Sequence, residues 1–190
     1  MINEKELLRG NLISLIASII ILAGLVLILQ RGIYYALSKE FLMIMTSVWI
    51  LSIPSLISYH RSGLEKRWIL DYFGATAIII TFLGLTLAYT GSFLGIEIIV
   101  FGYLFEPIAG ISIYITTFNS ISKIYSSLFF FGAIIFTLGL PLYLFNLGIV
   151  SIFGDLIKIL GIITLIYTIN KRKGITRITR RTPPSNTYRA

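Results

Sequence analysis

Six apolar runs of about twenty residues, separated by short polar turns, decide what this chain can fold into. A helix rises about 1.5 Å per residue, so about 17–25 apolar residues cross about 30 Å of hydrocarbon. The runs are Asn11–Gln30, Phe41–Tyr59, Trp68–Thr90, Ile98–Phe118, Ser126–Phe145 and Ile149–Asn170. The apolar body of the third starts at Tyr72. In a chain of 190 residues the runs leave 65, divided among five short loops and the two termini. Hydrophobic residues make up 56% and charged residues 13%, against roughly 25% charged in a soluble domain. A globule of this length in water cannot hide so much apolar surface. A soluble enzyme, a disordered chain and a disulfide-stapled domain are therefore excluded. The expected fold is all-α, a polytopic bundle of six transmembrane helices, with residues 1–170 as the membrane domain and 171–190 as a basic cytoplasmic tail.

Two boundaries carry alternatives. Asn146-Leu147-Gly148 is the turn signal between the last two runs, and Gly154-Asp155 is a rival that would leave a short final helix. The first run is longer than the 7–15-residue core typical of a signal peptide, and no Ala-x-Ala site follows it. It reads as a retained helix.

Basic residues set the orientation. With the N-terminus inside, 13 of them fall on the inner side: Lys5, Arg9, Arg61, Lys66, Arg67, Lys123 and the seven of the tail. Only Arg31 and Lys39 fall outside, and Lys158 lies within a run. The positive-inside rule then puts both termini in the cytoplasm of a multi-pass plasma-membrane protein. The formal charge of +8 is concentrated in the last twenty residues, so it marks a tail rather than a nucleic-acid-binding face. Lys171, Arg172, Lys173, Arg177, Arg180 and Arg181 read either as a solvated stop-transfer segment or as a docking site for anionic lipid headgroups or an acidic partner. No interleaved aromatics support nucleic-acid stacking.

Charges inside the runs are the candidate site. Glu106 lies near the middle of the fourth run and is followed by Pro107, which frees the Tyr103 carbonyl and predicts a kink. An ionisable group at that depth costs about 2.5–3.5 kcal/mol on insertion scales, so it needs a partner. Lys158 lies at the same estimated depth in the sixth run, and Asp155 sits one turn away on its face. The expectation is a cluster of Glu106, Lys158 and Asp155, serving either as a structural clamp or as a proton or cation site. Asp71, Glu97 and His60 read as interfacial, with Asp71 near Lys66 and Arg67, and Glu97 within reach of Arg31 or Lys39. Pro54 and Pro141 predict further kinks, both toward the end of the second helix of their half of the chain. Gly95, Gly102 and Ala109 recur every seven residues, as do Gly132 with Gly139 and Gly154 with Gly161, a spacing that lets helices approach closely.

Several chemistries are missing. The chain has no cysteine and one histidine, which excludes thiolate, Fe–S, Cys-zinc and bis-histidine haem sites. Gly154-Asp155 is half of an intramembrane aspartyl protease motif, but Ile152 stands where that motif needs Gly, and Asp71 lies near the opposite face. No G-x-S-x-G, Walker or Rossmann pattern occurs. No catalysis by this chain alone, no cofactor and no metal are expected. The 37 isoleucines fit a heat-adapted source or an AT-rich genome.

Residues Gly95 to Gly102, Gly-Ile-Glu-Ile-Ile-Val-Phe-Gly after an apolar helix, resemble the third-helix region of the J subunit of respiratory complex I over some ten residues. That family has five spans where this chain has six, and Glu106-Pro107 departs from its pattern. The resemblance implies an energy-transducing assembly. Two functions are therefore expected. One is a non-catalytic integral subunit of a larger membrane complex, respiratory by that resemblance, with lipids and other membrane subunits as partners. The other is a small proton- or ion-coupled transporter or channel using Glu106, Lys158 and Asp155.

Overall fold

The computed structural model describes residues 2–179, and their side chains through residue 172. The described residues are helical, with no strand. The helices are α1 (Glu4–Arg31), α2 (Lys39–Arg61), α3 (Arg67–Tyr89), α4 (Phe93–Tyr103), α5 (Phe105–Ser120), α6 (Lys123–Gly139) and α7 (Ile149–Thr179). Short 3-10 segments cover Ile33–Leu37 and Leu140–Phe145. Together these elements give six stretches long and apolar enough to cross a membrane, α4 and α5 sharing one.

The helix ends follow local chemistry. α1 begins seven residues before Asn11, because the Asn3 side chain accepts a hydrogen bond from Glu6 N, and Glu4 and Glu6 oppose the positive end of the helix dipole. The fourth stretch likewise starts at Phe93 rather than Ile98. Gly95 there lies against the backbone of Gly84 and Ala88, so this early turn is packed and not part of a loop. Between α6 and α7, Asn146 adopts a left-handed conformation (φ 59°) and closes the turn, while Gly154 and Asp155 lie inside α7. α7 runs past Asn170 to Thr179. The side chains of Lys173 and Arg177, and all of Arg180 and Arg181, lie outside the described residues.

The three prolines act differently. α2 continues as α-helix through Pro54. Pro141 ends α6, and the chain goes on as 3-10 helix. The break near Pro107 falls at Leu104, and Pro107 takes the third position of α5, where its missing N–H would have had no partner in the helix.

The six stretches close into a ring. α1 packs on α2, α2 on α3, α3 on both α4 and α5, α5 on α6, α6 on α7, and α7 back on α1. One end is tied by polar contacts. Asn3 N donates to Ser62 O at 2.8 Å, Ser112 Oγ donates to Glu65 O at 2.6 Å, and the Arg172 guanidinium donates to the carbonyls of Ser120 and Ile121. These contacts gather Lys5, Arg9, Arg61, Lys66, Arg67, Lys123, Lys171 and Arg172 at one end of the ring, with Arg31 and Lys39 at the other. Two apolar clusters cap the interior. Leu7, Leu64, Ile113, Leu165 and Ile169 belong to the cluster at the basic end, and Ile28, Phe41, Leu85, Ile96, Leu140 and Tyr143 to the other.

The most extensive contact is between α6 and α7. A Cβ placed on Gly132 would run into the Lys158 backbone, one on Gly139 into Ser151, one on Gly154 into Phe136, and one on Gly161 into Phe129. Each heptad pair thus faces the other helix's backbone, and Ser151 Oγ donates to Phe136 O at 2.9 Å across the seam. Such close packing and hydrogen bonding is the kind of contact that joins helices where apolar burial gives no net drive between them. Gly154→Leu is expected to destabilise the fold by about 1–3 kcal/mol or more through overpacking, read as a lower melting temperature in detergent. Gly110→Ala, where a Cβ meets nothing within 4 Å, is expected to leave it unchanged. Equal melting temperatures for the two variants would contradict the close α6–α7 seam.

Candidate functional site

Asp155 and Lys158 are three residues apart on α7 and so share a face. Because Gly132 and Gly154 draw the two backbones together, that face lies directly against α6. Lys158 Nζ is consequently 4.2 Å from the centre of the Phe136 ring. It is 2.9 Å from Asp155 Oδ1 and 3.4 Å from Glu106 Oε1. The structure therefore brings Glu106, Lys158 and Asp155 together at one level of the ring.

Glu106 reaches this point because of the break at Leu104. It stands in the first turn of α5, where the unpaired N–H groups of a helix start favour negative charge. A continuous helix through this stretch would offer no such terminus at mid-span.

The three groups differ in surroundings. The side chains of Asp155 and Lys158 are 0% and 4% accessible, whereas that of Glu106 is 39% accessible. Neither Asp155 carboxylate oxygen has a hydrogen-bond partner, so its compensation rests on the ammonium. Glu106 and Lys158 line a cavity of about 200 Å³ on the axis of the ring, with walls drawn from all six stretches. Its surface is mostly carbon. Asp155 is not among the lining residues and lies behind Lys158.

A second polar cluster opens on the same cavity from α1 and α2. The Tyr59 hydroxyl donates to Asn11 Oδ1 at 2.8 Å and lies 3.2 Å from Ser14 Oγ, which is 3.0 Å from Ser55 Oγ. Asn11 is fully buried, and its Nδ2 has no partner. Ser14, Ser55 and Tyr59 line the cavity, as do Ser18 and Ser52. This cluster was missed in the sequence, although a signal was present. Asn11, Ser14 and Ser18 on α1, and Ser52, Ser55 and Tyr59 on α2, repeat the same i, i+3, i+7 spacing of one helical stripe. Trp49 also lines the cavity, and its indole donates to Ile78 O at 3.0 Å, joining α2 to α3.

The interfacial charges stand apart from this site. Asp71 meets His60 Nδ1 at 2.8 Å and Arg67 Nε at 3.6 Å, a pairing with His60 that sequence reading did not anticipate. All three are substantially exposed, and ion pairs of that kind contribute at most about 1 kcal/mol. Glu97 is exposed and forms no ion pair with Arg31 or Lys39; Arg31 instead lies 4.8 Å from the Tyr35 ring centre. Among the described residues no group of three or more His, Cys, Asp or Glu could hold a metal ion.

The chain matches no protein-family model, no curated protein and no solved structure.

Removing the ammonium leaves a carboxylate buried without compensation, a change worth about 3–5 kcal/mol. Lys158→Met is accordingly expected to lower the melting temperature sharply. Adding Asp155→Asn is expected to restore most of the loss, because the stranded charge goes with it. A double variant no more stable than Lys158→Met would show that the pair is not coupled.

Proposed function

We propose that this chain is a small proton-coupled membrane transporter, with Glu106 as its exchanging carboxylate. The observation that carries the reading is the break at Leu104. It sets Glu106 at a helix start in mid-span, on the wall of a cavity enclosed by all six stretches. Interrupted helices with charged groups at their inner ends are a recurring plan for transport sites near the bilayer midplane. Two carboxylates share one ammonium, so the ionised cluster carries one uncompensated negative charge. A proton on Glu106 removes it, and its release to cavity water restores it. Asp155, sealed behind Lys158, keeps the ammonium in place during both states.

Both ends of the described chain lie at the basic end of the ring, and the positive-inside rule assigns that end to the cytoplasm of a plasma membrane. The chain has no cysteine, so single ones report topology. In intact cells a membrane-impermeant maleimide is expected to label Tyr34→Cys, and to label Arg61→Cys only after lysis; the reverse pattern would invert the assignment.

A second reading, an integral subunit of a larger membrane complex, is favoured by the helical extension of α7 to Thr179, beyond the carbonyls that Arg172 contacts. That helix end is a natural docking arm. Vesicle experiments on the purified chain separate the two. Under an imposed negative-inside potential, vesicles loaded with a pH-sensitive dye are expected to acidify at least about tenfold faster with the wild-type protein than without protein. Glu106→Gln is expected to return the rate to the protein-free value, and Glu106→Asp to retain much of it. A wild-type rate equal to that of empty vesicles would overturn the transporter reading and leave the subunit reading standing.

A further inference from the structure

We infer that the central cavity binds a lipophilic organic cation, a compact amine or quaternary ammonium, with Glu106 as its counter-ion. The inference deepens the transporter reading and rests on it for the claim that the ligand is carried as well as bound.

Charge decides the sign of the ligand. Among the described residues, Glu106 and Lys158 are the only charged ones on the cavity wall. One ammonium serves two carboxylates, since Lys158 Nζ lies 2.9 Å from Asp155 Oδ1 and also donates a hydrogen bond to Glu106 Oε1. Its contact with Glu106 is longer, at 3.4 Å, and the Glu106 side chain is the accessible member of the three. The wall therefore presents one carboxylate that its neighbours only partly neutralise. An anion would meet that carboxylate first, and a neutral ligand would leave it as it is.

The chemistry of the wall decides the kind of cation. A hard metal ion needs about six oxygen ligands to replace its hydration shell. The cavity offers one carboxylate and scattered hydroxyls on a surface that is mostly carbon. A cation whose charge is spread over carbon loses its hydration cheaply, and its apolar body matches such a wall. Trp49, Tyr59, Tyr103, Phe129 and Phe130 add ring surface to the lining. An ammonium against an aromatic face gains roughly 0.5–2 kcal/mol, more when water is excluded.

Size follows from volume. A single water needs a cavity of at least about 10–15 Å³ measured this way. A cavity of about 200 Å³ is far larger, with room for a compact organic cation. Members of both apolar clusters, among them Met45, Ile99, Ile113 and Ile162, line the cavity and give the ligand an apolar wall.

The test uses two probes of one shape. Phenyltrimethylammonium carries a quaternary nitrogen where tert-butylbenzene carries a carbon. Binding is read from Trp49 fluorescence in the Trp68→Phe background, since the chain has only these two tryptophans. The cation is expected to bind saturably and at least about tenfold more tightly than its neutral twin. Glu106→Gln is expected to abolish that preference, and Glu106→Asp to keep it. Equal affinity for the two probes in the wild-type chain overturns the proposal by itself, whether or not the Gln variant folds. A preference that survives Glu106→Gln in a monodisperse preparation overturns the role of Glu106. Proton movement in vesicles without any cation preference would sink this ligand assignment alone. A clear preference without proton movement would sink the coupling and leave the binding site.

Discussion

A buried charge must find a counter-charge within reach, and this requirement organises the structure. Lys158 is almost wholly enclosed and has an acid on each side, one from its own helix and one from across the ring. Neither acid is interchangeable with the other. Asp155 is buried and depends on the ammonium for compensation. Glu106 opens on the cavity and is stabilised in part by the start of α5. The same ammonium is thus shared between one buried carboxylate and one that opens on the cavity.

That arrangement depends on backbone features far simpler than the charges themselves. Four glycines let α6 and α7 touch along their length, which seats Lys158 over the Phe136 ring. The interruption at Leu104 turns one crossing stretch into two helices and supplies a helix start at mid-span. Contact of α7 with α1 closes the ring, so that residues from six stretches face a single cavity. The hydroxyl cluster around Tyr59 then makes one side of that cavity polar, without adding another charge.

Much of this was legible before any coordinates. Run lengths in the sequence predict six crossing stretches because about 30 Å of hydrocarbon demands that many apolar residues in a row. Glu106 and Lys158 stand out because ionisable residues are rare in such runs, and the fixed rise of a helix puts both at one depth. Helix starts were less legible. Asn3 and Glu6 form a capping signal ahead of α1, outside the apolar run that begins at Asn11. The start of α4 was hidden the same way, since Glu97 looked like a boundary while Gly95 was already packed on α3. Pro54 lies inside α2, which continues past it because neighbours can compensate a lost backbone bond. Ring closure and the cavity were beyond reach, as both depend on how each helix rotates about its axis. The matching stripes Asn11–Ser14–Ser18 and Ser52–Ser55–Tyr59 carried the one hint of that rotation.

The contact between Lys158 and Glu106 can be measured in lipid bilayers by solid-state NMR, using protein with ¹⁵N in its lysine side chains and ¹³C in its glutamate carboxyls. The expected result is a strong dipolar coupling from one buried lysine nitrogen, matching the 3.4 Å approach to a carboxylate oxygen and vanishing in Glu106→Gln. A Lys158 signal with no glutamate carboxyl nearby, or a coupling that persists in that variant, would contradict the site on which this reading of the molecule stands.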